Sequence, residues 1–328
     1  MKIGYTLMTE QSGPTDLVRY AVAAEQAGFA FEACSDHYFP WLDAQGHSPY
    51  AWSVLGAVAH ATERVELMTY VTCPTFRYHP AIVAQQAATL GLLSGDRFTL
   101  GLGSGEHLNE HVVGLGWPSV QVRHEMLVEA LGIINALFDG GGVTMRGQHY
   151  RVESAKLWDL PAQRVPMAVA VSGPRSCELF APLADHMIAV EPNPELGRMW
   201  GAARPANRSS RRIGQLPICF DADRDAAVAR AHEQFRWFAG GWEVNAELPS
   251  PAGFAAASQF VRGADIAERI SCGPDTAAHV TAARPFAEAG FTDLALVQIG
   301  GAPQHQEPFL NYARDELLPA LRAEFGVG

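Results

Sequence analysis

Lysine is nearly absent. Only Lys2 and Lys156 stand among 24 cationic residues, against 35 carboxylates, for a net charge of −11 over 328 residues. Such a balance repels phosphate backbones and anionic headgroups, so neither nucleic acid nor a membrane surface is expected as a partner. No run approaches the roughly 18 apolar residues that cross a bilayer. The first residues, Met1–Thr6, lack a hydrophobic signal core and read as a strand that begins at once. The five cysteines (Cys34, Cys73, Cys177, Cys219 and Cys272) are scattered, odd in number and without a Cys-x-x-Cys pair. That pattern suits reduced thiols in a cytoplasmic protein; it excludes a disulfide framework or a structural zinc site, and no metal is expected. Repeats, low-complexity stretches and domain linkers are also missing.

What is present is core material. With 48% hydrophobic and 18% charged residues, the chain is neither disordered nor coiled coil. Short β-branched runs alternate with helical stretches. Lys2–Leu7 reads as the first strand, and Pro14 opens a helix that Gly28 ends. Ala30–Ser35 is the second strand, and Ser48-Pro49 offers a capping hydroxyl before a helix to Thr62. Val65–Val71 and Arg97–Leu102 follow, with a helix from Pro80 between them and a long helix to Asp139 after them. Val143–Arg146 and Tyr150–Val152 read as an inserted hairpin around Gly147. The alternation resumes with Met167–Val171, His186–Val190, Ile213–Phe220 and Asp293–Ile299, the last preceded by a helix over Thr276–Ala289. Eight strands, nearly all followed by helix, predict a (β/α)8 TIM barrel rather than a doubly wound sheet. The whole chain, 1–328, is expected to be one domain with insertions near 140–165 and 221–268.

In such barrels chemistry sits where strands end. After the second strand come Asp36, His37 and Trp41 within a few residues. Histidine is the side chain best matched to base work near neutrality; the blander reading has it satisfying a loop carbonyl while Trp41 fills space. After the third strand, two prolines make Cys73–Pro80 a rigid loop, which leaves Arg77 among aromatics unexplained; Cys73 reads as an inert thiol. After the fourth come Gly101, Gly103 and Gly105, then Glu106. The glycines let a flat ligand approach the backbone, and Glu106 either turns a perturbed carboxyl to the pocket or is simply solvated. After the fifth, Ser172-Gly173-Pro174-Arg175-Ser176 reads as an anion-binding corner or a plain helix start.

Several separated motifs occur together, in order: Glu10-Gln11, Ser-Asp-His…Pro-Trp at 35–41, Pro-Thr-Phe-Arg-Tyr at 74–78 and Gly-x-Gly-x-Gly-Glu-x-Leu-Asn-Glu at 101–110. Gly-Gln-His-Tyr-Arg at 147–151, Ser-Gly-Pro at 172–174 and Ala-Glu-Arg at 267–269 complete the set. In these the chain resembles the luciferase-like superfamily, and within it the coenzyme F420-dependent glucose-6-phosphate dehydrogenase group. The resemblance implies hydride transfer between a deazaflavin and a small alcohol, aldehyde or sugar-type molecule. It implies His37 as the base at the substrate hydroxyl, Trp41 steadying developing charge, and Glu106 as the acid serving the cofactor ring. Asp36, Tyr70, Val71, Cys73, Gly105, Asn109, Ser172 and Gly173 are implied to contact the cofactor, Glu10 and Arg269 the substrate. A cis peptide is implied at Tyr70-Val71, and a homodimer is expected.

Physical chemistry asks for the same division of labour. An alcohol that loses hydride must also lose its proton, and a ring gaining negative charge needs a donor. Two groups of different pKa, expected on opposite sides of the reacting pair, meet both demands. The chain also departs from the group. Of two lysines and an arginine that grip the substrate phosphate there, only the arginine remains, as Arg269; Asn193 stands near one lysine position. A dianion held by one arginine forgoes about 2–4 kcal/mol, which argues against glucose 6-phosphate unless Arg198 or Arg262 compensates. Three other readings stay open: an FMN-dependent monooxygenase of the same superfamily, a glycosidase pairing Glu106 with Glu191, and a deazaflavin-binding protein without turnover.

Overall fold

Strands that are covered by helices on one side and by a barrel interior on the other must be apolar on both faces. The short runs described above meet that demand. The computed structural model describes residues 1–205 and 209–326. Its strands are β1 (Lys2–Leu7), β2 (Phe31–Cys34), β3 (Glu66–Thr69), β4 (Phe98–Leu102), β5 (Val143–Arg146), β6 (Arg151–Ala155), β7 (Met167–Ala170), β8 (His186–Ile188), β9 (Arg212–Cys219), β10 (Ser271–Cys272) and β11 (Asp293–Gln298). The hydrogen-bonded order β9-β11-β1-β2-β3-β4-β7-β8 returns to β9, closing eight parallel strands into a barrel. The expected TIM barrel is therefore present, and β5 and β6 form the expected antiparallel hairpin.

Side chains alternate between the two environments. Phe31, Ala33, Met68, Tyr70, Ala168, Ile188, Ile213 and Ala295 fill the barrel interior. Leu7, Cys34, Leu67, Leu100 and Leu296 face the helical layer. At Gly4 a Cβ would meet the Phe31 ring at 2.5 Å, so the missing side chain makes room for that ring.

The helices over Pro14–Ala27, Pro80–Leu93, Val120–Phe138 and Thr276–Glu288 lie where the periodicity puts them. One start signal misleads. The second helix begins at Ala51 and not at Pro49, and the Ser48 hydroxyl donates to the carbonyl of His37 at 2.8 Å instead of capping. That serine pins the loop after β2. The segment after β9 holds helices Arg224–Phe235, Trp242–Asn245, Pro251–Ala257 and Gly263–Ala267. Its Phe235, Phe254, Ile266 and Ile270 share an apolar cluster with Trp41 and Leu42 from the loop after β2. The two-residue β10 was not expected; it adds to the end of β9 outside the closed ring. No helix among the described residues is long and apolar enough to cross a membrane.

Candidate active site at the carboxyl ends of the strands

Glu10, in the loop leaving β1, is buried and acts as a hub. Its Oε1 accepts from Trp41 Nε1 at 3.1 Å and faces His37 Nδ1 at 3.5 Å. Its Oε2 accepts from the Thr9 hydroxyl at 3.2 Å and from the Ser35 hydroxyl. His37 leaves β2 with its side chain 9% exposed, and its Nε2 lies 3.4 Å from Glu106 Oε2. The Phe39 carbonyl stands 3.2 Å from Nδ1. One ring nitrogen thus meets a loop carbonyl, as the blander reading has it, while the other faces a carboxyl at the barrel mouth. A carboxyl group stands at each end of the imidazole.

Glu106 keeps 18% of its side chain exposed, yet burial pushes its carboxyl above the ordinary range. The charge on His37 opposes that shift, and Glu10 and Glu110 reinforce it. Asn109 Nδ2 donates to Glu106 Oε2 at 3.0 Å. The Asn109 Oδ1 accepts from the backbone N–H of Tyr38 at 2.8 Å and of Phe39 at 3.3 Å. This amide therefore couples the loop after β2 to Glu106. The expectation that imidazole and carboxyl stand on opposite sides of the reacting pair needs correction. They touch, and so share one wall.

Beneath them is a buried ion network. Arg77 Nε donates to Glu110 Oε1 at 2.9 Å, and Nη1 and Nη2 donate to Asp36 Oδ1 at 3.3 Å and to its carbonyl at 2.8 Å. Asp36 also accepts from the hydroxyls of Thr72 at 2.6 Å and Tyr78 at 3.0 Å. Burial works against the Arg77 charge, but the carboxylates of Asp36 and Glu110 outweigh it and hold the guanidinium protonated. This explains an arginine among aromatics: it ties together the loops after β2, β3 and β4. The Asp36 carboxylate is fully engaged within the protein.

The peptide Tyr70-Val71 is cis. The Tyr70 hydroxyl is buried without a partner among the described residues, and burial raises its pKa. Cys73 is buried too, and burial pushes its thiol well up, so it is no nucleophile. The alternate glycines sit close against the protein itself. A Cβ on Gly101 would fall 1.9 Å from the Thr69 carbonyl, on Gly103 2.6 Å from Val71 Cγ2, and on Gly105 3.0 Å from Glu110 Cγ. On that side they make room for β3 and for the protein's own loops.

The corner at Ser172 and Gly173 is likewise self-contained. Both backbone N–H groups donate to Ser176 Oγ at 3.2 Å, and Arg175 pairs outward with Glu178 at 2.9 Å. Ser172 itself is exposed and Gly173 half-buried. Arg269 is exposed, three residues before Cys272. Neither arginine offered as compensation is at hand: Arg198 pairs with Glu195, and Arg262 with Asp265 at 2.6 Å. Asn193 caps the helix that follows it, accepting from the Glu195 N–H at 2.9 Å. Glu191 is exposed, and the carboxylates that act on Glu106 are Glu10 and Glu110.

Four residues without an expected role belong to the site. Thr72, Tyr78 and Glu110 complete the ion network, and Trp237 stacks on Trp41 with centroids 4.1 Å apart and planes 7° from parallel. Phe254 meets Trp41 edge-on at 5.1 Å. Glu110 was marked only by closing a motif. Nothing in the sequence singles out Trp237 beyond its place in the Phe-Arg-Trp-Phe run.

A family model described as luciferase-like monooxygenase matches residues 1–310. The F420-dependent glucose-6-phosphate dehydrogenase of Nakamurella multipartita is 36% identical, over all of this chain and 98% of its own. The F420-dependent hydroxymycolic acid dehydrogenase of Mycobacterium tuberculosis is 33% identical, over 97% of this chain and 85% of its own. Among solved structures, an F420-dependent secondary alcohol dehydrogenase in complex with an F420-acetone adduct superposes with a TM-score of 0.86 at 29% identity, over 98% of this chain and 99% of that one.

Proposed function

The chain belongs to the luciferase-like monooxygenase family, and from that membership we propose that it is an oxidoreductase using coenzyme F420 on a small alcohol or its carbonyl partner. The observation that carries the proposal is the row Glu10–His37–Glu106, an imidazole with a carboxyl group 3.5 Å from one nitrogen and 3.4 Å from the other.

The residues fit such a cofactor. A reduced deazaflavin carries negative charge, which calls for a donor beside it. Glu106 is a carboxyl that burial keeps inclined to hold its proton, and the unpartnered Tyr70 hydroxyl is a second buried donor. The residues to hold the group are Tyr70, Val71, Cys73, Gly105, Ser172 and Gly173, with Asp36 and Asn109 shaping the loops from behind. When bound, F420 supplies the two-electron acceptor or donor.

The chain's own residues manage protons. The Phe39 carbonyl and Glu10 both favour a hydrogen on His37 Nδ1, which leaves Nε2, facing Glu106 at 3.4 Å, as the nitrogen to accept the proton of a substrate hydroxyl that enters beside that carboxyl. The imidazolium so formed has the Glu10 carboxyl 3.5 Å from Nδ1 to stabilise it. Trp41 Nε1 holds Glu10 in place, and the Trp237 and Phe254 rings fix the Trp41 plane. Arg269 and Glu10 are the substrate-side polar groups, and a sugar phosphate is disfavoured because Arg198 and Arg262 are engaged elsewhere.

The test is single turnover. In His37→Ala, hydride transfer from a bound alcohol at neutral pH should fall about 10²- to 10⁴-fold while F420 still binds. An undiminished rate rejects His37 as the base. Tight binding of FMN in place of F420 would replace this reading with the monooxygenase one.

A further inference from the structure

Two of the five cysteines are brought together by the unexpected strand. Cys272 of β10 is the register partner of Cys219 at the end of β9, and the Gly273 N–H donates to the Cys219 carbonyl at 3.0 Å. Register partners on parallel strands present their side chains to the same face, with backbones about 4.8 Å apart. That spacing lies within the roughly 4.4–6.8 Å between Cα atoms that a disulfide spans. Cys272 is half-buried and Cys219 buried, so Cys272 is the more accessible residue of the pair.

The surroundings separate the two sulfurs chemically. Cys219 and the Arg224 and Arg230 guanidinium groups draw the Cys272 thiol below its ordinary range, against the effect of burial. Contact with Cys272 and burial push Cys219 up. Arg230 is locked in position by the Ile299 carbonyl at 3.1 Å, Asp221 at 2.7 Å and the Phe220 carbonyl at 2.8 Å. Arg224 packs on Gly273, where an added Cβ would meet its side chain at 3.1 Å. Burial raises the thiols of Cys34, Cys73 and Cys177, so a paired, partly open sulfur of this kind is confined to Cys272.

We propose that Cys219 and Cys272 form an oxidisable dithiol that closes to a disulfide in response to peroxide, with Cys272 as the attacking sulfur and Cys219 as the resolving one. The Cys272 thiolate attacks a peroxide oxygen and the O–O bond breaks. This leaves a sulfenic acid on Cys272 and releases water or an alcohol once the departing oxygen is protonated. The Cys219 sulfur then attacks the sulfenic sulfur, the S–O bond breaks, and a second water leaves. Two thiols lose two electrons and two protons, and the peroxide takes them up. The new bond ties β10 to β9. Cys219 and Ile270 share the apolar cluster that contains Trp41, so the redox state is set within the packing that supports the site.

The test is to treat the native protein with hydrogen peroxide and map its peptides without reduction. Two thiols per chain should disappear, a Cys219–Cys272 cross-linked peptide should appear, and dithiothreitol should reverse both. In Cys219→Ser, dimedone should trap a sulfenic acid on Cys272. In Cys272→Ser, the same peroxide dose should leave Cys219 reduced. Cys272 overoxidised in the native chain with Cys219 still free overturns the proposal, as does Cys272 reacting no faster than Cys177. Peptide mapping reads the native chain, so it decides for or against the dithiol even where a variant folds poorly.

Discussion

Single residues carry the sharpest consequences where charge is buried. Glu32 in β2 is fully buried, and neither carboxyl oxygen has a hydrogen-bond partner among the described residues. Burial raises its pKa well above the ordinary value, Glu25 adds to the rise, and Arg97 opposes it. The folded state therefore keeps a proton that the unfolded chain releases near about pH 4.3. Stability from this group is fully present below that value and is lost as pH climbs toward the folded pKa. Replacing Glu32 by Gln removes the titration. The variant's melting temperature should rise relative to the parent as pH goes from 5 to 8; a constant gap across that range would refute the assignment. His37 and Glu106 stood out in the sequence because a titratable residue in the loop just past a strand is conspicuous. Glu32 was not, since a strand pattern does not say which polar residue lacks a partner.

At the scale of elements, one tight spot lies between β3 and β4. Gly101 sits where a side chain would strike the Thr69 carbonyl at 1.9 Å, and that residue's hydroxyl both accepts from the Gly101 N–H at 2.9 Å and donates to the Gly101 carbonyl at 2.8 Å. Gly101→Ala should cost about 1–3 kcal/mol through forced strand separation. Gly142→Ala, with nothing within 4 Å of its added methyl, should change stability by no more than about 0.5 kcal/mol. Equal denaturation midpoints for the two variants would contradict this.

The strands were legible to within a few residues because an alternating chain with eight β-branched runs has few ways to bury them. The start at Ser48 was misread because a serine before proline looks the same whether its hydroxyl caps a helix or, as here, holds the His37 carbonyl. β10 was illegible: two residues carry no periodicity, and pairing with β9 alone defines them. The alternate glycines were legible only as a place of close approach. A glycine declares close approach without naming what approaches.

Across the whole molecule, lysine is scarce and both of its copies are engaged. Lys2 pairs with Glu66 at 2.7 Å near the start of β1, and the Lys156 ammonium lies over the Trp158 ring at 4.4 Å. Against that background a phosphorylated sugar should show no gain in kcat/KM over its unphosphorylated counterpart with F420 bound. A preference of about tenfold or more, worth about 1.4 kcal/mol, would reveal a phosphate grip that the paired arginines do not suggest.

The Arg77 network has a consequence for anyone altering this enzyme. One guanidinium bolts the loops after β2, β3 and β4 into a single casting, while Trp237 and Phe254 arrive on a separate run of helices, joined to it through apolar packing on Trp41. The two parts meet at Trp41, so a change in that helical run reaches Glu10 and His37 through the Trp41 Nε1 hydrogen bond.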